Sequence, residues 1–574
     1  MKLKMPKLKT IIKKIFSGVI FIALILFYLF FIFWIETFHY LGSGFPYLFV
    51  FLLPALLIGW RSRCSLKQTL VQGSIPPISA FLIYSIYVAS FAGMMRFMGW
   101  IWDMWFLIFL YVATVLIMLY IGRFIQSRAW ALNKWVVPVV SLLILFITVL
   151  QFYSPTYSNY YYMGEGLVNE MGISQNLEDK SYQETFEVLC DYLDRKYPYF
   201  EYKNIEWEKL KEETNTELKT VETDEEFHRV LTGMLSNLQD GHVQISTPEI
   251  KKHYEAYFGA RFVDINGKWI AVVVYPNYSA EKIGMAQGME LIEINGKPIN
   301  EALADVPDYL INAKNDTVWG QRFGDMKRLG YLLSGPSGSN ISISYIDLDG
   351  KEKTTKAGLV KVESKWPPEQ PITYKRLPEG YGYIKIEYMA IDFISFVPTF
   401  DKALEELWDT NGLIIDIRGN PGGALVLTDQ ILGRFTDKKV KYGGILNSEG
   451  KFANLYVVPR HPTYDHPVVI LIDERCASAT DFFPYAASHL DGITLVGRPT
   501  KGVVSSPSKG MKLPGGAKVQ LIGSGLTDSL GNYVVEWVGV QPDVFIPYNI
   551  SDIQSGVDRD LLTAIEILEK GKIK

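Results

Sequence analysis

Ser478 stands where covalent chemistry is easiest to imagine. It follows an apolar run with buried-strand character, Val468 to Ile472, after a short loop, and it opens a helical segment over 478–490. The first backbone N–H groups of a helix have no intrahelical partner, so they can hold a negative oxygen. The oxyanion formed when a hydroxyl attacks an acyl carbon is such an oxygen. The plainer reading of a serine here is an N-cap. A hydroxyl near neutrality also needs a base beside it. His242 is presented by the turn Gln239-Asp240-Gly241-His242 at the end of a predicted helix. His489 shares the predicted helix of Ser478 but lies three turns on, roughly 16 Å of rise, and reads as a surface or packing residue. His228 reads as a solvated helix residue, and His461 and His466 flank Pro462 and Pro467 in a loop. Asp481 is at the position where a carboxylate accepts helix N–H bonds, a structural duty. Cys476 reads as a small buried filler.

The elements that must position these residues follow from period and caps. Phe186, Leu189 and Leu193 recur three and four apart after Ser181, and Trp207, Leu210 and Leu218 fall near whole turns. A third helix starts at a capping box, Thr223 with Glu226, and carries Phe227, Val230, Leu231, Met234, Leu235 and Leu238 up to the His242 turn. Short strands are predicted at 271–274, 291–294 and 341–346, with Asn295-Gly296 as a hairpin signal. That segment resembles a bacterial PDZ domain, a module that pairs an extended peptide with a sheet edge. From about Gly380 strands and helices alternate: Tyr383 to Tyr388, Leu413 to Ile417, Val468 to Ile472 and Ile493 to Val496 as strands, Phe400 to Trp408 and Asp560 to Lys570 as helices. An α/β core with a wound sheet is the economical solution.

Five motifs then occur in order: Leu238-Gln239-Asp240-Gly241-His242; Ile415-Asp416-Ile417-Arg418-Gly419-Asn420-Pro421-Gly422-Gly423; Cys476-Ala477-Ser478-Ala479-Thr480-Asp481; Gly497-Arg498-Pro499-Thr500-Lys501-Gly502; and Gly539-Val540-Gln541-Pro542-Asp543. Together they resemble the S41 peptidases, the C-terminal processing and tricorn-like serine proteases, over roughly residues 181–574. The resemblance implies Ser478 as nucleophile, with an oxyanion hole from the N–H of Ala479 and one of Gly422 or Gly423. The C-terminal processing branch places a lysine 25 residues after its nucleophile, but here that position is Val503. The tricorn-like branch takes a histidine from the helical region and a glutamate near the end, which implies a catalytic set of Ser478, His242 and Glu536. Lys501 shares strand parity with Val503 and stays open as an alternative base. No Gly-x-Ser-x-Gly elbow supports an α/β-hydrolase.

Composition divides the chain. Residues 1–152 carry 13 Lys or Arg against Glu36 and Asp103, whereas residues 153–574 carry 44 basic and 59 acidic side chains. Five uncharged stretches, 15–35, 41–60, 72–95, 104–122 and 135–152, each approach the length of about 20 residues that spans a bilayer. Arg61, Arg63 and Lys67, with Arg123, Arg128 and Lys134, fall in alternate loops, which puts the amino terminus in the cytoplasm and the peptidase region outside. The sequence is thus read as a multi-pass cell-membrane protein with the lipid bilayer as a partner.

The layout expected is α+β and multidomain: a polytopic membrane domain over 1–152, a linker over 153–180, a helical bundle carrying His242 over 181–250, a PDZ-like domain over 251–365 and a peptidase core over 366–574. Seven scattered histidines form no ligand pair on a helix face, and the glycines at 419, 422 and 423 lack dinucleotide spacing, so neither metal nor cofactor is expected. The acidic exterior part argues against nucleic acid. A peptide or protein substrate remains. The expectation is a membrane-anchored, extracytoplasmic serine endopeptidase. Two alternatives stay open, a catalytically silent PDZ-like sensor or scaffold and a Ser478–Lys501 dyad protease.

Overall fold

Helix starts are set by local chemistry. Ser181 and Thr223 each accept a hydrogen bond from the N–H three residues on, while the carboxylates of Glu184 and Glu226 accept from the N–H of the cap residue. These boxes fix helices Tyr182–Lys196 and Asp224–Ser236, and between them runs Trp207–Leu218. Their apolar stripes, with Leu189, Leu193, Phe227 and Leu231 fully buried, close one core against strand residues Met511, Val519 and Leu521. Each such side chain removed from water contributes about 1.5–3 kcal/mol before entropy is counted. The computed structural model describes residues 172–571 apart from 312–317, 362–367, 390–392, 449 and 451. All belong to the unit Tyr162–Lys574.

Three six-stranded sheets carry the architecture. The first runs in the order Ile372–Arg376, Gly382–Ile386, Leu413–Asp416, Val468–Ile472, Ile493–Gly497, Val544–Phe545, parallel from the second strand onward. Leu413–Asp416 and Val468–Ile472 are buried at every position, the first ending in the ion-paired Asp416 and the second an unbroken apolar run, as strands covered on both faces are. The loops leaving the carboxyl ends of these strands hold 417–423, 473–478 and 498–503, so three of the motifs converge by topology alone.

The second sheet joins Gly172–Asn176, Ser505–Lys512, Lys518–Thr527, Val440–Asn447 and Phe452–Val457, and Gln244–Ser246 pairs with Lys518–Gln520 from the other side. This ladder draws the His242 turn toward the segment after Lys501. The third sheet, Glu352–Gly358, Asn340–Ile346, Glu290–Ile294, Lys268–Val274 and Ala260–Ile265, contains the predicted hairpin. Asn295 and Gly296 both have positive φ, 53° and 76°, which a tight two-residue turn requires.

The expected membrane region is corrected. No helix of the described residues is long and apolar enough to cross a membrane. Tyr182–Lys196 and Val318–Leu332, at 15 residues each, fall short of the roughly 20 that a crossing needs. The five stretches that suggested crossings lie outside the described residues. Among the described residues the fold is α+β with three six-stranded sheets, one two-stranded sheet and no polytopic helical part, and the bilayer partner, the multi-pass topology and the extracytoplasmic placement are withdrawn.

Candidate active site

Ser478 sits at a backbone turn few side chains adopt. Its φ and ψ are 60° and −123° as it caps helix Ala479–Ala487. A conformation of this kind costs on the order of 1–3 kcal/mol and persists only where neighbours enforce it. Here the Ser478 N–H reaches Val503 O at 3.1 Å and Asp481 Oδ2 at 3.0 Å. Asp481 also accepts from the N–H groups of Gly502 at 2.8 Å and Val503 at 2.9 Å. Its carboxyl is raised by burial, which the Thr500 hydroxyl and those N–H groups partly offset. Asp481 therefore bolts the 500–503 loop onto the turn, a longer reach than local capping.

Glycine lets the second loop approach. A Cβ added to Gly422, whose φ is +104°, would lie 2.4 Å from Ala477 O and 2.8 Å from Ser478 Cβ. The Gly422 N–H donates to Asn420 Oδ1 at 2.9 Å. Met389 donates to Gly422 O and receives from Ala424, which turns the Gly423 N–H away from that strand. Among the described residues, the N–H groups of Gly423 and Ala479 have no acceptor, and Gly423 is exposed. Of the three residues expected at an oxyanion hole, two present open donors and Gly422 does not.

His242 arrives through the turn after helix Asp224–Ser236, where Gln239 takes a positive φ of 47°. A Cβ on Gly241 would meet Val503 Cγ2 at 2.5 Å, and Val503 O holds the Ser478 N–H, so one residue touches both turns. The half-buried ring has its Nδ1 3.2 Å from Ser505 Oγ. The Ser505 hydroxyl in turn donates to Asp240 Oδ1 at 2.8 Å, and the His242 N–H reaches the same oxygen at 2.9 Å. Loss of water lowers the His242 pKa and the Lys501 ammonium lowers it further, against the opposing pull of Asp240 and of the Ser505 backbone.

Glu536 lies elsewhere in this network. Its Oε1 is 2.8 Å from Lys203 Nζ and its Oε2 accepts the Val504 N–H at 3.1 Å. Its ring-side role toward His242 has no hydrogen bond behind it among the described residues. Burial pushes its carboxyl up to about 7, with Lys203 opposing and Asp240 reinforcing the rise. It is framed by two residues of positive φ, Val535 at 69° and Trp537 at 73°. Lys203, which sequence reasoning passed over, is fully enclosed. It also reaches Asp240 Oδ2 at 3.2 Å and lies over the rings of Tyr199 and Trp537.

Lys501 does not follow strand parity, because Gly502 takes a φ of +81° and Asp481 holds the loop in a turn. Its own N–H goes to Cys476 O at 2.8 Å. Burial lowers its amine and Arg261 lowers it further, with Asp481 opposing. His489 is exposed, two residues past the end of helix Ala479–Ala487, and its Nδ1 lies 2.8 Å from Tyr485 O in that helix. His228, expected in solvent, is buried between Glu249 Oε2 at 3.1 Å and Pro514 O at 2.9 Å. Cys476 is a buried filler whose thiol meets Ile417 O at 3.1 Å. No group of three metal-ligating side chains occurs among the described residues.

A strained serine at a strand–helix junction, open N–H donors and an imidazole on a neighbouring turn are the parts that a serine hydrolase uses. Residues 380–546 match the model of peptidase family S41, and residues 178–236 match the Tricorn protease C1 domain. The carboxy-terminal processing protease CtpB of Bacillus subtilis is 27% identical over 307 residues, covering 50% of this chain and 57% of that protein. The Tricorn protease of Thermoplasma volcanium is 31% identical over 205 residues, 35% of this chain and 19% of that protein. The structure of mature CPAF complexed with lactacystin aligns at a TM-score of 0.53 and 18% identity, over 69% of this chain and 98% of that one, a likeness of fold. The chain spans 57% of the length of CtpB and 64% of chloroplastic carboxyl-terminal-processing peptidase 3 of Arabidopsis thaliana. Residues 380–546 thus resemble peptidase family S41, and residues 178–236 resemble the Tricorn protease C1 domain.

Proposed function

We propose that the chain hydrolyses peptide bonds in peptide or protein substrates through an acyl-enzyme on Ser478, with His242 as general base. The observation that carries this reading is the enforced turn at Ser478 beside the open N–H groups of Gly423 and Ala479. In the step proposed, Ser478 Oγ bonds to the acyl carbon and its proton passes to His242 Nε2. The carbonyl pair moves onto oxygen, where two N–H donors each lower the barrier by a few kcal/mol. Collapse breaks the C–N bond as Nε2–H protonates the leaving amine, and water then repeats the sequence on the ester. Glu536 belongs to this site through Lys203, as part of the buried charge behind the imidazole.

The third sheet ends on strand Ala260–Ile265, an edge able to take an extended peptide. Arg261 on that strand pairs with Glu474, in the loop that leads to Ser478. Substrate engagement at that edge is part of the proposal. Fluorophosphonate labelling of the full chain tests it. Ser478→Ala should abolish both label and hydrolysis of an unfolded protein, a fall of about 10⁴-fold or more. No label on the wild type would favour the silent peptide-binding reading. Hydrolysis retained in His242→Ala but lost in Lys501→Ala would transfer the base to Lys501.

A further inference from the structure

Resting on the Ser478–His242 reading, we infer that Ser505 is the positioning residue that fixes the His242 tautomer, with Asp240 as the carboxylate behind it and Lys203 as its counter-charge. Asp240 is fully buried, and its oxygens accept from the His242 N–H at 2.9 Å, Ser505 Oγ at 2.8 Å and Lys203 Nζ at 3.2 Å. Burial would raise this carboxyl, but Lys203 and the His242 N–H outweigh it and hold it below its ordinary value. An ionised carboxylate has no proton to offer. The Ser505 hydrogen must therefore point at Asp240, and the hydroxyl turns its lone pairs to His242 Nδ1 at 3.2 Å. That contact is a hydrogen bond only when Nδ1 carries the hydrogen. The neutral ring then keeps its lone pair on Nε2, the form a base for Ser478 requires.

The backbone holds this arrangement. Ser505 begins strand Ser505–Lys512, and its neighbour Val504 is pinned by Glu536. Gln244–Ser246, two residues past the imidazole, joins the same sheet. Glu536 thus acts on the backbone beside Ser505 and on Lys203, without touching the ring. The charged groups facing His242 are Asp240 and Lys501 directly, with Lys203 and Glu536 behind Asp240.

The test compares the full chain with Ser505→Ala and Ser505→Thr. It measures pH profiles of kcat/KM on unfolded casein, rates of fluorophosphonate labelling at Ser478, and thermal unfolding. Ser505→Ala should lower kcat at least about tenfold with KM within twofold, and slow labelling in parallel. Its acid limb should move slightly to lower pH, because the hydroxyl acceptor at Nδ1 is gone while the Ser505 backbone, which also favours the imidazolium, stays. Ser505→Thr, which restores the hydroxyl, should recover most of the rate. If Ser505→Ala does not fold, Ser505→Cys keeps the volume with a poor acceptor and should show the same loss and limb shift. An unmoved limb with kcat within twofold of wild type, or a threonine variant as slow as alanine, would overturn the inference. Neither result touches the nucleophile, whose own failure is read separately as activity surviving Ser478→Ala.

Discussion

Two buried charge clusters in this molecule are built on opposite plans. Behind His242 one cation, Lys203, faces two carboxylates, Asp240 and Glu536. At the carboxyl ends of the parallel strands, Arg418, Arg498 and Arg261 alternate with Asp416, Asp558, Asp560 and Glu474. In the arginine chain, burial is outweighed by the guanidinium groups, so Glu474 falls to about 2 and Asp416 lies well below the usual carboxylate range. In the lysine cluster one carboxyl rises to about 7. With Lys385 paired to Asp416, the arginine chain sets four cations against four carboxylates, and Glu474 and Asp416 titrate below the physiological range. The lysine cluster is short of positive charge, and its protonation changes where an imidazole works.

Removing the single cation should have the largest effect. Lys203→Met leaves two buried carboxylates facing each other and should cost about 3–5 kcal/mol in urea unfolding, with a fall in kcat as Asp240 loses its counter-charge. Wild-type stability in that variant would erase the contrast between the clusters. Arg418→Met should cost less, about 2–3 kcal/mol, because Lys385 Nζ at 3.0 Å and Tyr383 Oη at 2.7 Å still hold Asp416. It should leave kcat and the acid limb of the pH profile unchanged, and a moved limb would mean that the two clusters communicate.

Glu536→Gln sharpens the comparison through its pH dependence. The folded carboxyl titrates near 7 against an ordinary 4.5, so between those values the folded state keeps a proton that the unfolded chain has released. Wild type should therefore lose stability relative to the glutamine variant as pH rises through that window, with no further change above it. Equal slopes in unfolding titrations at pH 5 and pH 8 would contradict the assignment. The smallest expected change is in Lys501→Met. Lys501 disfavours the imidazolium, so its removal should shift the acid limb of kcat/KM to higher pH. A limb that stays in place would separate Lys501 from His242.

What could be seen in the sequence divides along the same line. Ser478 was legible because a strand, a short loop and a helix are local events, and the caps at Ser181 and Thr223 obey local rules. Gly422 and Gly423 were legible as a close approach, but not which of their N–H groups the Asn420 side chain takes. Lys203 was invisible for a physical reason. Its meaning lies in contacts to Asp240 and Glu536, 37 and 333 residues away, and an aromatic-rich segment reads the same with or without them. Ser505 failed likewise, being one hydroxyl among several until the sheet brings it to His242. Parity misled at Lys501 because a single left-handed glycine ends the alternation. His228 was misjudged because the carbonyl that buries it belongs to Pro514.

The backbone at Ser478 has a consequence for how this protein can drift. Glycine would hold a φ of 60° and a ψ of −123° with less strain than any residue bearing a side chain. Substitution there by the least demanding residue would yield a longer-lived and inert molecule. Selection for persistence and selection for turnover pull this one position in opposite directions, and a lineage relieved of the need for hydrolysis would find its easiest stabilising step at the proposed nucleophile.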